Sequence, residues 1–286
     1  MENKFQGTGV ALVTPFDQNG NVDFEGFLNV INHVSEWVDY LVVCGTTGES
    51  ATLNSEEKHQ TLDFVLNNNV KQLPVVFGVG GNNTLEVNKS LSNVPEGVDA
   101  ILSVSPAYNK PSQKGIVEHF KAVADACKYS IILYNVPGRT SSNLLWQTTL
   151  ELADHPNIIG IKEASGDLIQ CMHILSKKPD NFQLISGDDM LTPSLLPIGA
   201  SGVISVLANA FPYHFAQLCK YNNKELFFEL LDINPLMYEE GNPVGIKEVL
   251  RLMSICENHV RLPLLKASEG LSSRIRHLLT SISDNR

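Results

Sequence analysis

The sequence predicts an α/β fold, a (β/α)8 TIM barrel with a C-terminal helical domain. Eight short apolar segments rich in β-branched residues recur along the chain, and segments with helical periodicity separate them. Nearly continuous apolar runs are typical of strands buried on both faces, as in parallel sheets. Eight strand–helix units close such a barrel, which takes roughly 250 residues, and this chain has 286.

The predicted strands are joined by short connections. Strands that alternate with helices in this way imply right-handed βαβ units. A doubly wound sheet of eight strands is the alternative, but no GxGxxG phosphate loop follows the first strand. The predicted strands are residues 8–16, 40–45, 74–80, 100–106, 130–137, 158–165, 182–188 and 202–209.

Helical periodicity is clear after the first strand and again near Asn54. After the first strand, apolar residues recur at the spacing of one helix face. These residues are Phe24, Phe27, Leu28, Ile31, Val34 and Val38. The segment near Asn54 carries Glu56 and Glu57 in its first turn, where negative charge suits the helix dipole.

Beyond the eighth unit the strand signal ends. Residues 225–239, 243–257 and 266–283 predict helices. This tail is longer than a barrel needs. We therefore expect two domains, a catalytic barrel over 1–222 and a helical C-terminal domain over 223–286 that packs on the barrel and has a role in assembly.

Composition and charge argue against several classes of protein. Hydrophobic residues make up 43% and charged residues 18%, as in globular rather than disordered proteins. The formal net charge of −10 disfavours binding to nucleic acids and to anionic lipid. The five cysteines form no CxxC pair, and neither an apolar leader nor a membrane-length apolar run occurs. We therefore expect a cytoplasmic protein that binds neither nucleic acid nor membrane.

Lys162 is the most informative polar residue. It follows the apolar run 158–161 in a strand that otherwise predicts burial, and lysine is seldom buried without a reason. Catalytic groups of these barrels lie at the C-terminal strand ends. Burial favours the neutral amine, which is the form that attacks a carbonyl. Lys162 is therefore a candidate Schiff-base nucleophile, and a lysine that reaches solvent or pairs with Glu163 is the alternative.

Two tyrosines are candidates for proton transfer. Tyr134 lies near the end of the preceding strand, and a phenol near the amine could move the protons that imine chemistry requires. A tyrosine whose hydroxyl bonds to the backbone is the alternative. Tyr108, after the fourth strand, has the same two interpretations and a third, a role at an interface.

Two segments could bind an acidic substrate. Residues 45–48 (GTTG) predict a tight turn with exposed N–H groups and two hydroxyls before a helix, which suits a carboxylate or phosphate. A simple helix cap is the alternative. The guanidinium of Arg139 could donate two parallel hydrogen bonds to a carboxylate. A surface arginine without such a role is the alternative.

A metal site is not predicted. The eight histidines form neither HxH nor HExxH, and none follows a predicted strand at its C-terminal end. Asp188 and Asp189 are the only pair of carboxylates predicted at the barrel mouth, which is weak support for a divalent cation.

Three motifs taken together resemble the dihydrodipicolinate synthase family, within the class I pyruvate aldolases. They are residues 45–49 (GTTGE), 134–140 (YNVPGRT) and 160–163 (GIKE). The resemblance covers essentially the whole chain. It implies a (β/α)8 barrel with a helical C-terminal domain, usually assembled as a homotetramer (a dimer of dimers), that requires no metal or organic cofactor.

The resemblance implies four catalytic residues. Lys162 forms an imine with pyruvate, and Tyr134 donates and accepts protons. Thr46 links Tyr134 to Tyr108 in a proton relay. Tyr108 is contributed across a dimer interface.

The resemblance also implies four substrate-binding residues. Thr47 and its backbone hold the carboxylate of pyruvate, and Arg139 receives the carboxylate of L-aspartate 4-semialdehyde. Gly187 and Ile204 line the pocket near the imine. The reaction would be a condensation to 4-hydroxy-tetrahydrodipicolinate, the first committed step of diaminopimelate and lysine biosynthesis.

Other functions remain as alternatives. N-acetylneuraminate lyase and the 2-keto-3-deoxy sugar acid aldolases share the lysine, the tyrosine and the carboxylate-binding turn, but residues 137–140 (PGRT) together with Thr46 favour a short acidic aldehyde. A non-catalytic barrel would be expected to lose Lys162 or Tyr134. A metal-dependent aldolase would need the histidine motifs that the sequence lacks.

One departure from the family pattern concerns feedback by lysine. Asn82 and Glu86 fit the regulatory site of lysine-sensitive members, but Ser55 and Lys58 stand where those members often carry histidine or glutamate. Ala107 stands where the family often has a second tyrosine. We therefore expect weak inhibition by lysine, or none.

Overall fold

The barrel is closed by eight strands in chain order. The computed structural model describes residues 4–282, and each predicted strand overlaps one observed strand, so the predicted fold is confirmed. The strands are β1 (Gly7–Ala11), β2 (Tyr40–Val43), β3 (Val75–Gly78), β4 (Ala100–Val104), β5 (Ser130–Asn135), β6 (Ile158–Glu163), β7 (Gln183–Ser186) and β8 (Gly202–Ser205).

The observed strands end earlier than the apolar runs. The first run extends to Phe16, whereas β1 ends at Ala11. Leu12, Val13 and Phe16 are nevertheless buried. In a barrel of this kind the segments that leave the C-terminal strand ends are still covered, so apolar composition continues past the last ladder bond.

Strands β5 and β6 carry the residues of greatest interest. They pair in parallel, with Tyr134 opposite Lys162 and Asn135 opposite Glu163. On its other side β6 pairs with β7, where Lys162 lies opposite Ile185. Side chains alternate between the two faces of a strand. Tyr134 and Lys162 therefore share one face, and Asn135 and Glu163 share the other.

Helices follow the strands as the periodicity predicts. α1 buries Phe27, Ile31 and Val34 from its apolar face, and α2 begins with a capping box between Asn54 and Glu57. None of the helices in the described residues is both long and apolar enough for a membrane span. The helices are α1 (Phe24–Ser35), α2 (Ser55–Asn68), α3 (Thr84–Ser92), α4 (Gln113–Ala126), α5 (Pro137–Thr140), α6 (Trp146–Ala153), α7 (Leu168–Leu175), α8 (Thr192–Leu195), α9 (Pro212–Tyr221), α10 (Lys224–Phe228), α11 (Val244–Leu252) and α12 (Glu269–Leu279).

The chain divides into two compact units. Pro74–Ile204 contains β3 to β7 and almost all of β8. The other unit joins residues 4–73 to residues 205–282, and in it α9 packs against β1 and α10 while α11 packs against α12. The domain boundary expected after residue 222 stays a prediction.

The C-terminal helices are shorter than the sequence predicts. The helix predicted over 225–239 ends at Phe228, and a 3₁₀ helix at Asn234–Met237 follows after turns. Pro235 has no N–H to donate and would interrupt an α-helix, but α10 ends well before it. The other two predicted helices are present as α11 and α12. Ser283, the predicted last residue of the final helix, lies outside the described residues.

Candidate active site

Lys162 lies in the next-to-last position of β6, and only 6% of the residue is exposed. Its Nζ atom lies 4.5 Å from the centroid of the Tyr134 ring, which is also buried. One alternative interpretation of the sequence was a lysine side chain that reaches solvent. The burial of Lys162 argues against it. A buried amine beside a phenol is an arrangement suited to imine chemistry.

Glu163 is not the partner of Lys162. Its carboxylate accepts hydrogen bonds from the side chains of Asn135 and Gln170 and from the backbone N–H of Ser165. All of these groups contact Glu163 on the face of β6 that Lys162 does not occupy. The second alternative for Lys162, an ion pair with its neighbour, is therefore wrong.

Gly187 leaves room for the Lys162 side chain. A Cβ atom at this position would lie 3.1 Å from Lys162 Cε and 2.7 Å from the Ala164 Cβ. The N–H of Gly187 donates to the carbonyl of Glu163 at 2.7 Å, which holds the segment close to β6. Any larger residue would crowd the lysine stem.

Ile204 lies on β8 and is almost fully buried. The ladder pairs Ser186 of β7 with Val203 of β8. The next residue on each strand follows at the same level, so Ile204 comes level with Gly187. The structure thus places Lys162, Tyr134, Gly187 and Ile204 on neighbouring strands of one unit.

Arg139 lies in the one-turn helix α5, directly after β5. Its N–H donates to the carbonyl of Val136 at 2.9 Å, and its side chain is exposed. Pro137 pre-sets the backbone of the first turn. The guanidinium is therefore a solvent-accessible cation that follows the strand carrying Tyr134.

Tyr108 is held in an exposed loop. It is 90% exposed, and its φ of +64° is unusual for a residue with a bulky side chain. Its N–H donates to the carbonyl of Thr140 at 3.3 Å, and the Ala107 N–H donates to Asn82 Oδ1 at 2.8 Å. The loop therefore adjoins α5 and leaves an aromatic ring exposed.

Thr46 and Thr47 lie in the unit formed by residues 4–73 and 205–282. The predicted tight turn is present, since Gly48 N–H donates to the Gly45 carbonyl at 3.2 Å and Glu49 N–H to the Thr46 carbonyl at 3.0 Å. Thr47 is buried and Thr46 is half-buried. The two threonines therefore lie on a turn that backbone hydrogen bonds hold in place.

The dihydrodipicolinate synthetase family matches residues 4–282 of the chain. The chain belongs to this family. The resemblance inferred from the motifs is thereby confirmed, and it extends over all described residues. Lys162 in GIKE and Tyr134 in YNVPGRT both lie within the matched range.

Named relatives and solved structures of the family are similar over almost their whole length. The 4-hydroxy-tetrahydrodipicolinate synthase of Cytophaga hutchinsonii is 46% identical over 288 residues, which cover 98% of this chain and 97% of that protein. The dihydrodipicolinate synthase of Thermotoga maritima has a TM-score of 0.93 at 35% identity, covering 97% of this chain and 98% of that chain. The enzyme from Cyanidioschyzon merolae, solved with lysine bound, has a TM-score of 0.94 at 32% identity, covering 98% and 99%.

Sequence reasoning missed the residues that hold the GTTGE turn of this family member. Asn242 Nδ2 donates to Thr47 Oγ1 at 3.0 Å, and Lys247 forms a buried ion pair with Glu49. The N–H of Arg261 donates to the other Glu49 oxygen at 3.1 Å. Burial lowers the pKa of Lys247, and the adjacent Glu49 opposes that shift. A lysine among the apolar residues of α11, Lys247, was the available signal.

Sequence reasoning also missed the environment of Glu163. Burial raises the pKa of this carboxyl group, while hydrogen bonds from Asn135, Ser165 and Gln170 act in the opposite direction. The sequence showed an acid beside the candidate lysine, but not that amide side chains from β5 and α7 enclose it. Gln170 carries no local signal of this role, because it lies one loop and one turn away from β6.

Proposed function

We propose that this protein condenses pyruvate with L-aspartate 4-semialdehyde through a Schiff base on Lys162, giving 4-hydroxy-tetrahydrodipicolinate. It is a class I lyase, and the reaction is the first committed step of diaminopimelate and lysine biosynthesis. The observation that carries this proposal is the buried Lys162 amine at the Tyr134 ring, in a chain that matches the family throughout.

The first step forms the imine. The neutral Lys162 amine adds to the keto carbon of pyruvate, and the resulting carbinolamine loses water. Both events require protons to be moved between nitrogen and oxygen. Tyr134 is the group that we assign to this transfer, and its ring lies against the amine.

The imine then acts as an electron sink. A proton leaves the methyl carbon of pyruvate, and the C–H electron pair shifts toward the nitrogen to give an enamine. The enamine carbon attacks the aldehyde of the second substrate, and the alkoxide that forms takes up a proton. The amine of that substrate next displaces Lys162 by transimination, which closes the ring and frees the enzyme.

The remaining site residues are assigned by their family motifs. Thr47 and its backbone bind the pyruvate carboxylate, which is supported by the fixed, buried turn in which it lies. Thr46 relays protons between Tyr134 and Tyr108. Arg139 binds the carboxylate of the semialdehyde, which is supported by its exposed guanidinium.

The pocket wall and the assembly complete the proposal. Gly187 and Ile204 line the pocket beside the imine. Tyr108 belongs to the active site of a partner subunit in a homotetramer built as a dimer of dimers. Its 90% exposure in a strained loop supports this role, since a large aromatic side chain is stabilised when an interface covers it. We place the enzyme in the cytoplasm.

Turnover of the two substrates tests the proposal. Pyruvate and L-aspartate 4-semialdehyde, coupled to reduction of the product, should give a steady rate, whereas sugar-acid aldehydes should not. Arg139→Ala should raise KM for the semialdehyde by about 10- to 100-fold, because it removes a charged partner of a carboxylate. KM for pyruvate should be nearly unchanged. If the protein turned over sugar-acid aldehydes but not the semialdehyde, the sugar-acid aldolase alternative would be correct instead.

Free L-lysine is expected to inhibit this enzyme weakly or not at all. The positive charge of Lys58 repels a cationic effector, and Ala107 lacks the ring that would form the wall of its site. The measurement is the initial rate with increasing L-lysine, with Lys58→Glu as a comparison that should increase sensitivity. Strong inhibition of the unmodified enzyme by low lysine would show that this expectation is wrong.

A further inference from the structure

Glu163 is a buried acid without a cationic partner among residues 4–282. Only 2% of the residue is exposed, and the ion pairs of the described chain do not include it. Burial of an unpaired carboxylate is costly unless hydrogen bonds replace the lost water. A glutamate at this position therefore calls for a local function.

Amide groups replace the water around this carboxylate. Asn135 Nδ2 donates to both oxygens at 3.1 and 3.0 Å, Gln170 Nε2 donates to Oε2 at 3.0 Å, and Ser165 N–H donates to Oε1 at 2.8 Å. An ionised carboxylate only accepts hydrogen bonds. It therefore fixes which end of each amide faces it.

A second set of hydrogen bonds, on the side of each amide away from Glu163, fixes the same orientation. Asn135 Oδ1 accepts the N–H of Leu144 at 3.0 Å, and Gln170 Oε1 accepts Asn143 Nδ2 at 3.0 Å. Reversing either amide would place its oxygen against the Glu163 carboxylate, two acceptors facing each other, and its NH2 group against the outer donor. The network thus has one consistent arrangement, which depends on a negative charge at position 163.

The network lies directly behind the reacting groups. Asn135 follows Tyr134 on β5, Glu163 follows Lys162 on β6, and the two pairs lie opposite each other in the ladder. Side chains that bond across the outer face therefore fix the two strand ends from which Tyr134 and Lys162 project inward. A backbone hydrogen bond also joins the two strand ends, since Ala164 N–H donates to the Asn135 carbonyl at 2.8 Å.

We infer that Glu163 is a positioning residue of the lyase, whose carboxylate sets the placement of Lys162 against Tyr134 by gathering the amides of Asn135 and Gln170. The inference deepens the proposed function and rests on imine formation at Lys162.

Because burial raises the pKa of Glu163, the ionised group lowers folding stability at pH values above that pKa, and the penalty disappears as the pH falls through it. A cost in stability at this site is consistent with a positional role.

The test is Glu163→Gln, which keeps the shape but turns one acceptor into a donor. We expect the rate of borohydride-trapped imine formation from pyruvate, and kcat, to fall by about 10- to 100-fold, the scale of a small misplacement of reacting groups. KM for the semialdehyde should change little. The melting temperature should change little as well, because the lost hydrogen bonds and the removed desolvation penalty offset each other.

Glu96→Gln, at an exposed acid paired with Lys128, is the matched control. It should leave the trapping rate, kcat, KM and the melting temperature unchanged.

The reciprocal variant separates positioning from folding. In Glu163→Gln with Asn135→Asp, the acceptor and donor exchange places, and most of the lost trapping rate should return. Gln170→Leu removes a single donor and should lower the trapping rate several-fold, so it serves if Glu163→Gln does not fold. Unchanged trapping in Glu163→Gln, or a double variant no faster than the single one, would overturn the inference. Borohydride trapping needs pyruvate alone. If the protein traps pyruvate but does not condense it with the semialdehyde, the proposed function is contradicted, while the positioning role of Glu163 is not.

Discussion

Lys162→Ala is expected to abolish both turnover and covalent capture of pyruvate, with kcat lowered by more than roughly 10⁴-fold, the scale for removal of a nucleophile. The amine is the only nucleophilic group of this side chain, and no equivalent nitrogen lies on the same strand face of β5 or β6. The measurement is coupled turnover, followed by intact mass after borohydride reduction with pyruvate. The unmodified protein should gain the mass of a reduced pyruvate imine, and the variant should not.

Two control variants make the result specific. Lys162→Arg keeps the length and charge but offers no neutral amine, because the guanidinium stays protonated. It should be as inactive as the alanine variant. Lys177→Ala removes an exposed lysine whose Nζ lies 4.1 Å from the Trp146 ring centroid, a comparable contact with an aromatic ring. It should keep full activity and the full mass gain. Capture of pyruvate by Lys162→Ala would place the imine on another residue and contradict the assigned mechanism.

The barrel was predictable because parallel strands buried on both faces leave an unbroken apolar signal. The same property explains the errors at strand ends. Leu12 and Val13 are buried without belonging to β1, so apolarity alone could not separate strand from covered loop. The tail prediction failed differently, since the predicted helix already ends at Phe228 and Pro235 lies further along. Helical periodicity continued across a residue whose missing N–H interrupts an α-helix.

The sequence singles out a candidate site residue where its side chain conflicts with the local preference of the strand. A lysine inside an apolar strand is conspicuous, which is why the sequence offers Lys162 as a candidate. The groups that hold the site were not conspicuous, because their partners are distant in the chain. Gln170 bonds to Glu163 from the next helix, and Asn242 bonds to Thr47 across 195 positions. No pattern within one element contains such a pair.

Lys247→Met is expected to lower the free energy of unfolding by about 3–5 kcal/mol, the usual consequence of breaking a buried ion pair on one side. Lys247 is fully buried and bonds to Glu49 and to the carbonyl of His259 at 2.8 Å. Its Nζ also lies 4.2 Å from the Phe16 ring centroid. Methionine keeps the apolar stem but leaves the Glu49 carboxylate buried without its cation. Denaturant unfolding provides the measurement.

An exposed ion pair on the same tail provides the control. Arg274 pairs with Glu239, and both side chains are about half exposed. Arg274→Met should therefore cost no more than about 1 kcal/mol. Adding Glu49→Gln to Lys247→Met should recover part of the loss, because no uncompensated charge remains. A Lys247→Met variant as stable as Arg274→Met would mean that the buried pair does not stabilise the fold.

The position of this pair bears on what the C-terminal helices do. Asn242 and Lys247 contact Thr47 and Glu49, so residues beyond the barrel hold the turn that we assign to the pyruvate carboxylate. If the helices served assembly alone, weakening this contact would lower stability without changing substrate binding. If they also hold the turn, folded Lys247→Met should show a raised KM for pyruvate, while KM for the semialdehyde stays close to its original value. The second outcome is the one that the contacts favour, because they end on the turn itself.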